Sequence, residues 1–333
     1  MPIYGIDIVE LFQQIRDGDR FALGKGITLV ESQLPKHREQ AIELLELSSK
    51  SKSNSIRIAI TGSPGVGKST FIESFGLYLV GLGKRVAILA IDPSSQLSKG
   101  SILGDKTRMP KLSTHQSAFI RPSPSGTTLG GVAQRTRESI LLCEAAGYDI
   151  VLVETVGVGQ SEYQVSNMVD FFMLLLLPGA GDGLQGIKRG IVEMADLIVV
   201  NKADGDRIAM AQQTKSQFQN ALHFYPTKET GWSTKIVLTS AIEEKGLDHC
   251  WEEVESFISK AGPSKIDDKR NMQNQTWLDD RLADWIHNYV ISNDQIQDTL
   301  KDVREQLKNE SITVSKAIHL IQEKIKTIIH GGT

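Results

Sequence analysis

The residues best suited to chemistry form one glycine-rich run at positions 62–70. Lys68 and Ser69 end the spacing G-x-x-x-x-G-K-[ST], which is typical of loops that hold nucleotide phosphates. Glycines let successive backbone N–H groups turn toward phosphate oxygens, where a side chain would block them. Lys68 is predicted to reach the β- and γ-phosphates, and Ser69 is predicted to coordinate Mg²⁺. The predicted nucleoside triphosphate site comprises Gly62, Ser63, Pro64, Gly65, Val66, Gly67, Lys68, Ser69 and Thr70.

A second motif, Asn201-Lys202-Ala-Asp204, indicates which base the nucleotide carries. A carboxylate at Asp204 can accept hydrogen bonds from the N1–H and the exocyclic amine of guanine, whereas adenine lacks this donor pair. Asn201 and Lys202 are predicted to brace the loop, and the lysine stem is predicted to stack on the ring. Backbone N–H groups near Ser240 and Ala241 are predicted to meet the guanine carbonyl oxygen. The motif therefore favours GTP and GDP over adenine nucleotides.

Acidic residues that follow other apolar runs predict the metal site. Glu154 comes after four apolar residues, and with Gly157 it takes the place of the Asp-x-x-Gly of standard small GTPases. Gly157 is predicted to donate its N–H to the γ-phosphate and to move on hydrolysis. Asp92 and Asp105 are further metal candidates, and an exposed loop acid is the alternative for Asp105. The predicted catalytic residues are Lys68, Asp92, Glu154 and Gly157, and the predicted Mg²⁺ ligands are Ser69, Asp92, Asp105 and Glu154.

A glycine-rich segment at 178–188 runs into a predicted helix and supplies the polar residues Asp182, Gln185 and Lys188. Its glycines give it the freedom of a hinge. The residues alone leave two interpretations equally open, a third nucleotide-sensing switch and a plain flexible connector. A polar stretch at 97–108 suits an order–disorder response to the γ-phosphate.

These residues need a framework that brings the ends of several strands together. Short apolar runs alternate with helical patterns between 56 and 240, which predicts an α/β fold with a mostly parallel sheet covered by helices on both faces. In such sheets ligands bind where the carboxyl ends of the strands open into loops, and the polar motifs all follow predicted strands. The predicted strands are 56–60, 86–91, 118–120, 150–153, 171–177, 197–200 and 236–238.

Helical patterns flank this P-loop G domain on both sides. The first 50 residues carry apolar side chains at helical spacing and end in a polar linker at 48–54. Apolar residues between 278 and 328 recur at steps of three and four, as in paired helices. Dimer formation through this seam and packing on the chain's own G domain are both open. We predict an N-terminal helical extension at 1–50, a P-loop GTPase domain at 51–262 and a C-terminal helical dimerisation arm at 263–333.

The composition excludes several classes of protein. The chain has 333 residues, a net charge of −3 and 40% hydrophobic residues, which predicts a soluble protein that binds neither nucleic acid nor anionic membranes. Cys143 and Cys250 are predicted to be reduced structural thiols, because two distant cysteines cannot form a disulfide framework. No signal peptide is evident, and the most apolar run, 171–177, is too short to span a bilayer. We expect a cytoplasmic protein.

Longer blocks of the sequence resemble one family of GTPases. The motifs GSPGVGKST, AIDPSS, SILGDKTRM, PSPSGTTLGG, ETVGVGQSE, GDGLQGIKRGIVEMAD and NKAD closely resemble those of the MeaB/ArgK-type GTPases, the G-protein chaperones of adenosylcobalamin-dependent methylmalonyl-CoA mutase. The resemblance extends from residue 1 to about residue 290. It implies a G domain of the SIMIBI class, shared with signal-recognition and metallochaperone GTPases, with an N-terminal helical extension and a C-terminal dimerisation arm.

The resemblance also implies a function and roles for particular residues. GTP hydrolysis is expected to be slow alone and faster with the mutase, and the GTPase is expected to gate cobalamin loading and to protect the mutase from inactivation. By the resemblance, phosphate and Mg²⁺ are bound by Lys68, Ser69, Asp92, Asp105 and Glu154. The switch that communicates with the mutase contains Asp182, Gln185 and Lys188. Isobutyryl- and ethylmalonyl-type mutases are alternative partners.

Two other functions compete with this interpretation. A metallochaperone GTPase for nickel enzymes needs a histidine-rich tract or paired Cys/His ligands, whereas the seven histidines of this chain are scattered. A kinase, an older name for members of this family, needs a catalytic base and an acceptor pocket, and Asp204 argues against ATP. Gln160 and Arg108 are weak candidates for a water-orienting residue and an arginine finger, so basal turnover is predicted to be slow.

Overall fold

The computed structural model describes residues 7–32, 34–51, 53–92, 109–124, 129–155, 161–180, 189–225, 227–228 and 231–330. The chain divides into two compact units, Met1–Arg270 and Asn271–Thr333. The first unit contains the sheet and the predicted nucleotide site. The described part of the second unit consists of helices and the turns between them. The divisions after residues 50 and 262 stay predictions.

A sheet of seven strands forms the centre of the first unit. The strands are β1 (Ile56–Gly62), β2 (Val86–Asp92), β3 (Ala118–Pro124), β4 (Ile150–Glu154), β5 (Phe171–Leu176), β6 (Leu197–Val200) and β7 (Lys235–Leu238). They lie in the order β3-β2-β4-β1-β5-β6-β7, with β1 in the middle. The predicted α/β class is confirmed, and every pairing between these strands is parallel.

Helices connect the strands and extend the chain at both ends. They are α1 (Ile8–Arg16), α2 (Arg20–Val30), α3 (Pro35–Ser49), α4 (Lys68–Gly81), α5 (Pro110–Thr114), α6 (Leu129–Ala145), α7 (Ser161–Ser166), α8 (Arg189–Met194), α9 (Ile208–Leu222), α10 (Leu247–Ser292), α11 (Asp294–Lys308) and α12 (Val314–His330). A short 3₁₀ turn at Gly205–Arg207 precedes α9. Within the described ranges, no helix combines the length and the apolarity that a bilayer span requires.

Each face of the sheet has its own core. On one face, Ile27 of α2 and Leu142 of α6 belong to a cluster with Phe172 of β5. On the other face, Phe75 of α4 and Phe257 of α10 pack in a second cluster. Strands covered on both faces bury all their side chains, which is why they appear in the sequence as continuous apolar runs rather than alternating ones.

The N-terminal extension contains three helices, α1, α2 and α3. Residues of α2 such as Leu23 and Ile27 are fully buried, but intervening glycines obscure the helical pattern. A Cβ on Gly26 would lie 2.9 Å from Ile15 Cδ1, so this glycine permits the close approach of α1 and α2. In α3, Leu44 is fully buried and Leu45 and Leu47 pack against the same core, whereas Ile42 is 50% exposed.

Three aspartates accept hydrogen bonds from backbone N–H groups at the amino edge of the sheet. Asp149, Asp170 and Asp196 each stand directly before a strand. One carboxylate oxygen of each accepts a backbone N–H at or just before the start of a neighbouring strand, at 2.7, 2.8 and 2.9 Å respectively. These N–H groups lie at the margin of the ladder, where buried donors still require partners. The nucleotide motifs lie at the opposite, carboxyl edge.

The C-terminal helices bury one part of the predicted apolar seam and expose another. Helix α10 is kinked at Gly262 (φ 73°), which precedes Pro263. In the second unit Ile296, Val303 and Ala317 are buried, and α11 packs on α12. Four residues of α10 that belong to the predicted seam are exposed within the single chain. The exposed fractions are 67% for Leu278, 51% for Leu282, 54% for Trp285 and 56% for Tyr289.

Candidate nucleotide site

The phosphate-binding run connects the end of β1 to the start of α4. Gly65 and Gly67 have φ values of 80° and 90°, and Gly67 caps the helix that begins at Lys68. A Cβ on Gly62 would lie 2.5 Å from the Leu175 carbonyl oxygen of β5. The loop therefore requires glycine at positions where a side chain would strain the backbone or collide with the sheet. Its place at the N-terminus of a helix favours anions.

Lys68 extends over this loop. Its Nζ donates to the carbonyl oxygen of Gly62 at 2.8 Å and to that of Ser63 at 3.4 Å. Burial lowers the pKa of the Lys68 ammonium, and the carboxylates of Glu154 and Glu162 oppose that shift. The carboxylates of Glu154 and Glu162 thus favour the charged form of Lys68 where phosphate oxygens are predicted to bind.

Ser69 and Glu154 bring two oxygens together beside the loop. Ser69 Oγ donates to Glu154 Oε1 at 3.2 Å, and Glu154, the last residue of β4, is 7% exposed. A hydroxyl and a carboxylate oxygen are hard ligands of the kind that Mg²⁺ prefers. The donor set of this pair therefore fits the predicted metal.

The remaining predicted metal and switch residues lie wholly or partly outside the described residues. Asp92 is the last residue of β2, which places its backbone at the carboxyl edge, but its side chain is outside the described part. The other predictions outside the described residues are Asp105, Gly157, Asp182, Gln185 and Lys188, together with Arg108 and Gln160. Within the described residues, no group of three or more His, Cys, Asp or Glu side chains has the arrangement of a metal site. These roles stay predictions.

The base motif is joined directly to the phosphate loop. Asn201 Nδ2 donates to the Val66 carbonyl oxygen at 2.9 Å, and Lys202 Nζ donates to that of Gly65 at 2.7 Å. Lys202 has a φ of 60°, a conformation that non-glycine residues adopt rarely, so the surrounding contacts hold it there. The structure thus places both motifs, separated by more than a hundred residues, in one continuous hydrogen-bonded site.

Asp204 is held as an ionised acceptor next to this loop. Ser240 Oγ donates to Asp204 Oδ2 at 2.7 Å, and the Arg207 guanidinium bonds the other oxygen. The hydrogen bond from Ser240 lowers the pKa of the Asp204 carboxyl, and Arg207 and Lys202 lower it further. An ionised carboxylate only accepts hydrogen bonds, which suits the N–H donor pair of guanine.

The backbone N–H groups of Ser240 and Ala241, which are predicted to contact the base, donate hydrogen bonds to acceptors within the protein. The N–H of Ser240 bonds the Lys245 carbonyl oxygen at 3.0 Å, and the N–H of Ala241 bonds Asn201 Oδ1 at 3.3 Å. The second bond is near the long limit for an N–H donor. A contact from either group to guanine stays a prediction.

Two contacts of the site were missed by sequence reasoning. Arg207 pairs with Asp204 from the turn three residues later, and Thr155 Oγ1 donates to Thr61 Oγ1 at 2.7 Å between the ends of β4 and β1. Both threonines are at most 1% exposed. The only sequence signal for the threonine pair is a polar residue at each of two adjacent strand ends, and adjacency is known only once the strand order is known.

Comparison with known proteins connects this site to named relatives. The family model described as methylmalonyl Co-A mutase-associated GTPase MeaB matches residues 23–295. The chain is 41% identical to GTPase ArgK of Escherichia coli K12 over 96% of this chain and 97% of that one. It is 40% identical to the mitochondrial methylmalonic aciduria type A homolog of Mus musculus, over 95% of this chain and 79% of the relative.

A solved structure agrees with these relatives. The crystal structure of a protein named LAO/AO transport system kinase superposes with a TM-score of 0.79 at 35% identity, covering 98% of this chain and 100% of that one. Sequence identity at this level over nearly the whole length establishes a common fold and a common family. The chain is therefore a P-loop GTPase, and it belongs to the MeaB family of methylmalonyl-CoA mutase-associated GTPases.

Proposed function

We propose that this GTPase is a G-protein chaperone of an adenosylcobalamin-dependent acyl-CoA mutase, with methylmalonyl-CoA mutase as the first candidate. In this role the GTPase gates cobalamin loading and protects the mutase from inactivation. The observation that carries the proposal is the match to the mutase-associated GTPase family across residues 23–295. The name of the mouse relative, methylmalonic aciduria type A homolog, supports the same partner.

The site geometry supports a guanine nucleotide with Mg²⁺ as its ligands. Asp204 would accept from the N1–H and the amine of guanine, because Ser240 and Arg207 keep it ionised. Ser69 would coordinate Mg²⁺, and Glu154 would reach the ion directly or through water. Mg²⁺ neutralises charge on the β- and γ-phosphate oxygens. Asp92 and Asp105 are proposed as further acidic residues around the ion.

Phosphate binding would replace the contacts that Lys68 makes with its own loop. The ammonium bonds two carbonyl oxygens, at Gly62 and Ser63, and phosphate oxygens are stronger acceptors for a cation. Gly157 is proposed to donate to the γ-phosphate. The proposed coupling of this event to the mutase goes through Asp182, Gln185 and Lys188. We expect slow hydrolysis by the free protein and faster hydrolysis when the mutase completes the site.

We further propose that the protein is a homodimer that pairs through the second unit. The support is the exposed stripe of Leu278, Leu282, Trp285 and Tyr289, since exposed apolar patches with aromatic residues are typical of interfaces. The arm is proposed to act in assembly and the G domain in nucleotide sensing.

A pull-down from cells that express the protein tests the proposed partner. The full chain, loaded with a non-hydrolysable GTP analogue, serves as bait, and the Lys68→Ala chain serves as the matched control. We expect the loaded wild-type chain to recover a cobalamin-dependent mutase and the control to recover much less. The isolated mutase should then raise the rate of phosphate release. Recovery of a nickel enzyme, or of no mutase, would contradict the proposal.

A further inference from the structure

A cleft of about 290 Å³ lies at the outer strand β3, and its lining contains none of the residues of the nucleotide site described above. Its lining comprises Arg20, Phe21, Ser113, Phe119 and Ile120. Phe119 and Ile120 are the second and third residues of β3, so the cleft lies toward the amino edge of the sheet. The nucleotide motifs occupy the carboxyl edge. The cleft and the nucleotide motifs therefore lie at opposite edges of the sheet.

The cleft combines a buried apolar floor with an exposed aromatic wall. Phe119 and Ile120 are 7% and 6% exposed, whereas Phe21 is 60% exposed. The Lys25 ammonium lies 4.7 Å from the centroid of the Phe21 ring. An exposed ring beside an apolar floor offers a flat ligand a stacking surface, and cavities of this size are at the small end of ligand sites.

Arg20 places a positive charge in the lining of this cleft. Its Nη1 donates to the His115 carbonyl oxygen at 3.3 Å, a long and weak contact. In the described ranges, no carboxylate lies within ion-pair distance of this guanidinium. The adjacent Asp19 carboxylate accepts from the N–H groups of Phe21 and Ala22 at the start of α2, so it is used in capping the helix.

Tyr148 packs against Phe119, one of the lining residues. Its ring centroid lies 6.1 Å from that of Phe119, the residue is 2% exposed, and its phenolic group interacts with the Arg85 side chain. Arg85 lies over this ring, 4.8 Å from the centroid. Burial raises the pKa of Tyr148, and Arg85 and Arg20 oppose the shift. Arg85 and Arg20 thus both act on the tyrosine that packs against Phe119.

We propose that this cleft binds a compact organic anion, whose acid group meets Arg20 and whose flat apolar body packs against Phe21 and Phe119. The charge of Arg20 selects an anion, because a guanidinium pairs with carboxylate or phosphate through strong charge-assisted hydrogen bonds. The volume of the cleft, about 290 Å³, suits a small ligand. The inference is independent of the proposed mutase partner.

Amide chemical shifts of the full-length, GDP-loaded protein test the site with three probes of one shape. Benzoate carries a carboxylate, phenyl phosphate carries a phosphate, and benzamide is uncharged. We expect saturable shifts at the amides of Arg20, Phe21 and Phe119, with at least one anion binding about tenfold more tightly than benzamide. The stronger of the two anions identifies the acid group. Equal binding of all three probes, shifts centred elsewhere, or no binding up to about 10 mM would overturn the proposal.

Substitutions separate the charge from the apolar surface. Arg20→Gln should remove the preference for the anion over benzamide, whereas Arg16→Gln, a matched change at an exposed position of the neighbouring helix α1, should preserve it. Phe21→Ala should lower the affinity for all three probes about threefold or more. This variant tests the site independently if Arg20→Gln does not fold. GTP hydrolysis should be unchanged in Arg20→Gln. An anion preference that survives Arg20→Gln would refute the proposal.

Discussion

Lys68 and Asp204 carry the two charges on which the nucleotide site depends, and different neighbours maintain each. Lys68 is partly desolvated and has acidic groups close by, whereas Asp204 is bonded by Ser240 and Arg207. One end of the site thus presents a cation and the other an anion. This polarity matches guanosine triphosphate, which has negative phosphates at one end and N–H donors on its base at the other.

Lys68→Ala removes the cation from the phosphate loop. We expect GTP affinity to fall about 100-fold and hydrolysis to stop, because charge-assisted bonds to the β- and γ-phosphates are lost. Titration with a fluorescent GTP analogue measures the affinity, and phosphate release measures the rate. Lys50→Ala, at an exposed lysine next to α3, is the matched control. Wild-type affinity and turnover in Lys68→Ala would show that the assigned loop is not the site.

Asp204→Asn alters the group that is predicted to recognise the base. An amide presents both a donor and an acceptor, so we expect GTP affinity to fall by about 100-fold or more and xanthosine triphosphate to become the better ligand. Competition between the two nucleotides measures the change. Asp206→Asn, an exposed acid in the same turn, should leave the preference unaltered. If Asp204→Asn still prefers GTP as strongly as the wild type, another residue recognises the base.

The residues of this candidate site were predictable from the sequence where they lie close together in the chain. The phosphate loop and the Asn201–Asp204 motif each occupy one short stretch, and their spacing alone indicates a role. The threonine pair of Thr61 and Thr155 depends on β4 lying beside β1. Arg207 was missed although it is close in sequence, because exposed arginines are common and its pairing depends on how the 3₁₀ turn folds back.

At the scale of elements, a buried ionic network ties α10 to the amino edge of the sheet. Arg270 donates to Asp170 Oδ1 at 2.8 Å and to Oδ2 at 2.6 Å, and to the Ser55 carbonyl oxygen at 2.8 Å. Arg57 forms a bidentate pair with Glu144 at 2.7 and 2.8 Å. Since Asp170 is fully buried, its charge depends on Arg270 for compensation.

Arg270→Ala leaves the buried carboxylate of Asp170 without its arginine. We expect the free energy of unfolding to fall by about 3–5 kcal/mol, the usual cost of removing one partner from a buried ion pair. Urea denaturation of the full chain, followed by circular dichroism, measures it. Arg304→Ala, at an exposed arginine of α11, should cost less than about 0.5 kcal/mol. A loss below about 1 kcal/mol in Arg270→Ala would mean that Asp170 is compensated in another way.

The elements were predictable to different degrees for physical reasons. All seven strands were predicted, because burial on both faces imposes continuous apolar runs. The pattern of helix α2 is weak in the sequence, because Gly24 and Gly26 lower its helical signal and only Gly26 is required by close packing. The aspartates before β4, β5 and β6 were missed, since an acid beside a strand is equally typical of a loop.

At the scale of the whole molecule, the exposed stripe on α10 is the main surface that burial within one chain does not explain. The rings of Trp285 and Tyr289 stack with centroids 5.6 Å apart and are about half exposed, at 54% and 56%. The sequence predicted an apolar seam here but not its exposure, which depends on the folding of the complete chain. We interpret the stripe as the dimer surface proposed above.

Trp285→Glu places a charge in the middle of this stripe. We expect the dimer dissociation constant to rise by about 100-fold or more, because aromatic anchors dominate interface energies and a buried unpaired charge opposes association. Sedimentation velocity at several concentrations gives the constant. His287→Glu, at an exposed position on the same helix, should have little effect. A wild-type chain that is monomeric, or a variant that stays dimeric, would argue against this surface.

The bonds from Asn201 and Lys202 to the phosphate loop have a thermodynamic consequence. Two side chains of the base motif end on the carbonyl oxygens of Val66 and Gly65, so neither loop can change shape without altering the other's hydrogen bonds. Guanosine and inorganic triphosphate, added as separate fragments, should therefore bind with positive cooperativity. By linkage, the factor by which guanosine tightens triphosphate must equal the factor by which triphosphate tightens guanosine. In intact GTP, binding of either the base or the triphosphate would begin to order both loops, and this shared ordering would raise the affinity for the whole nucleotide.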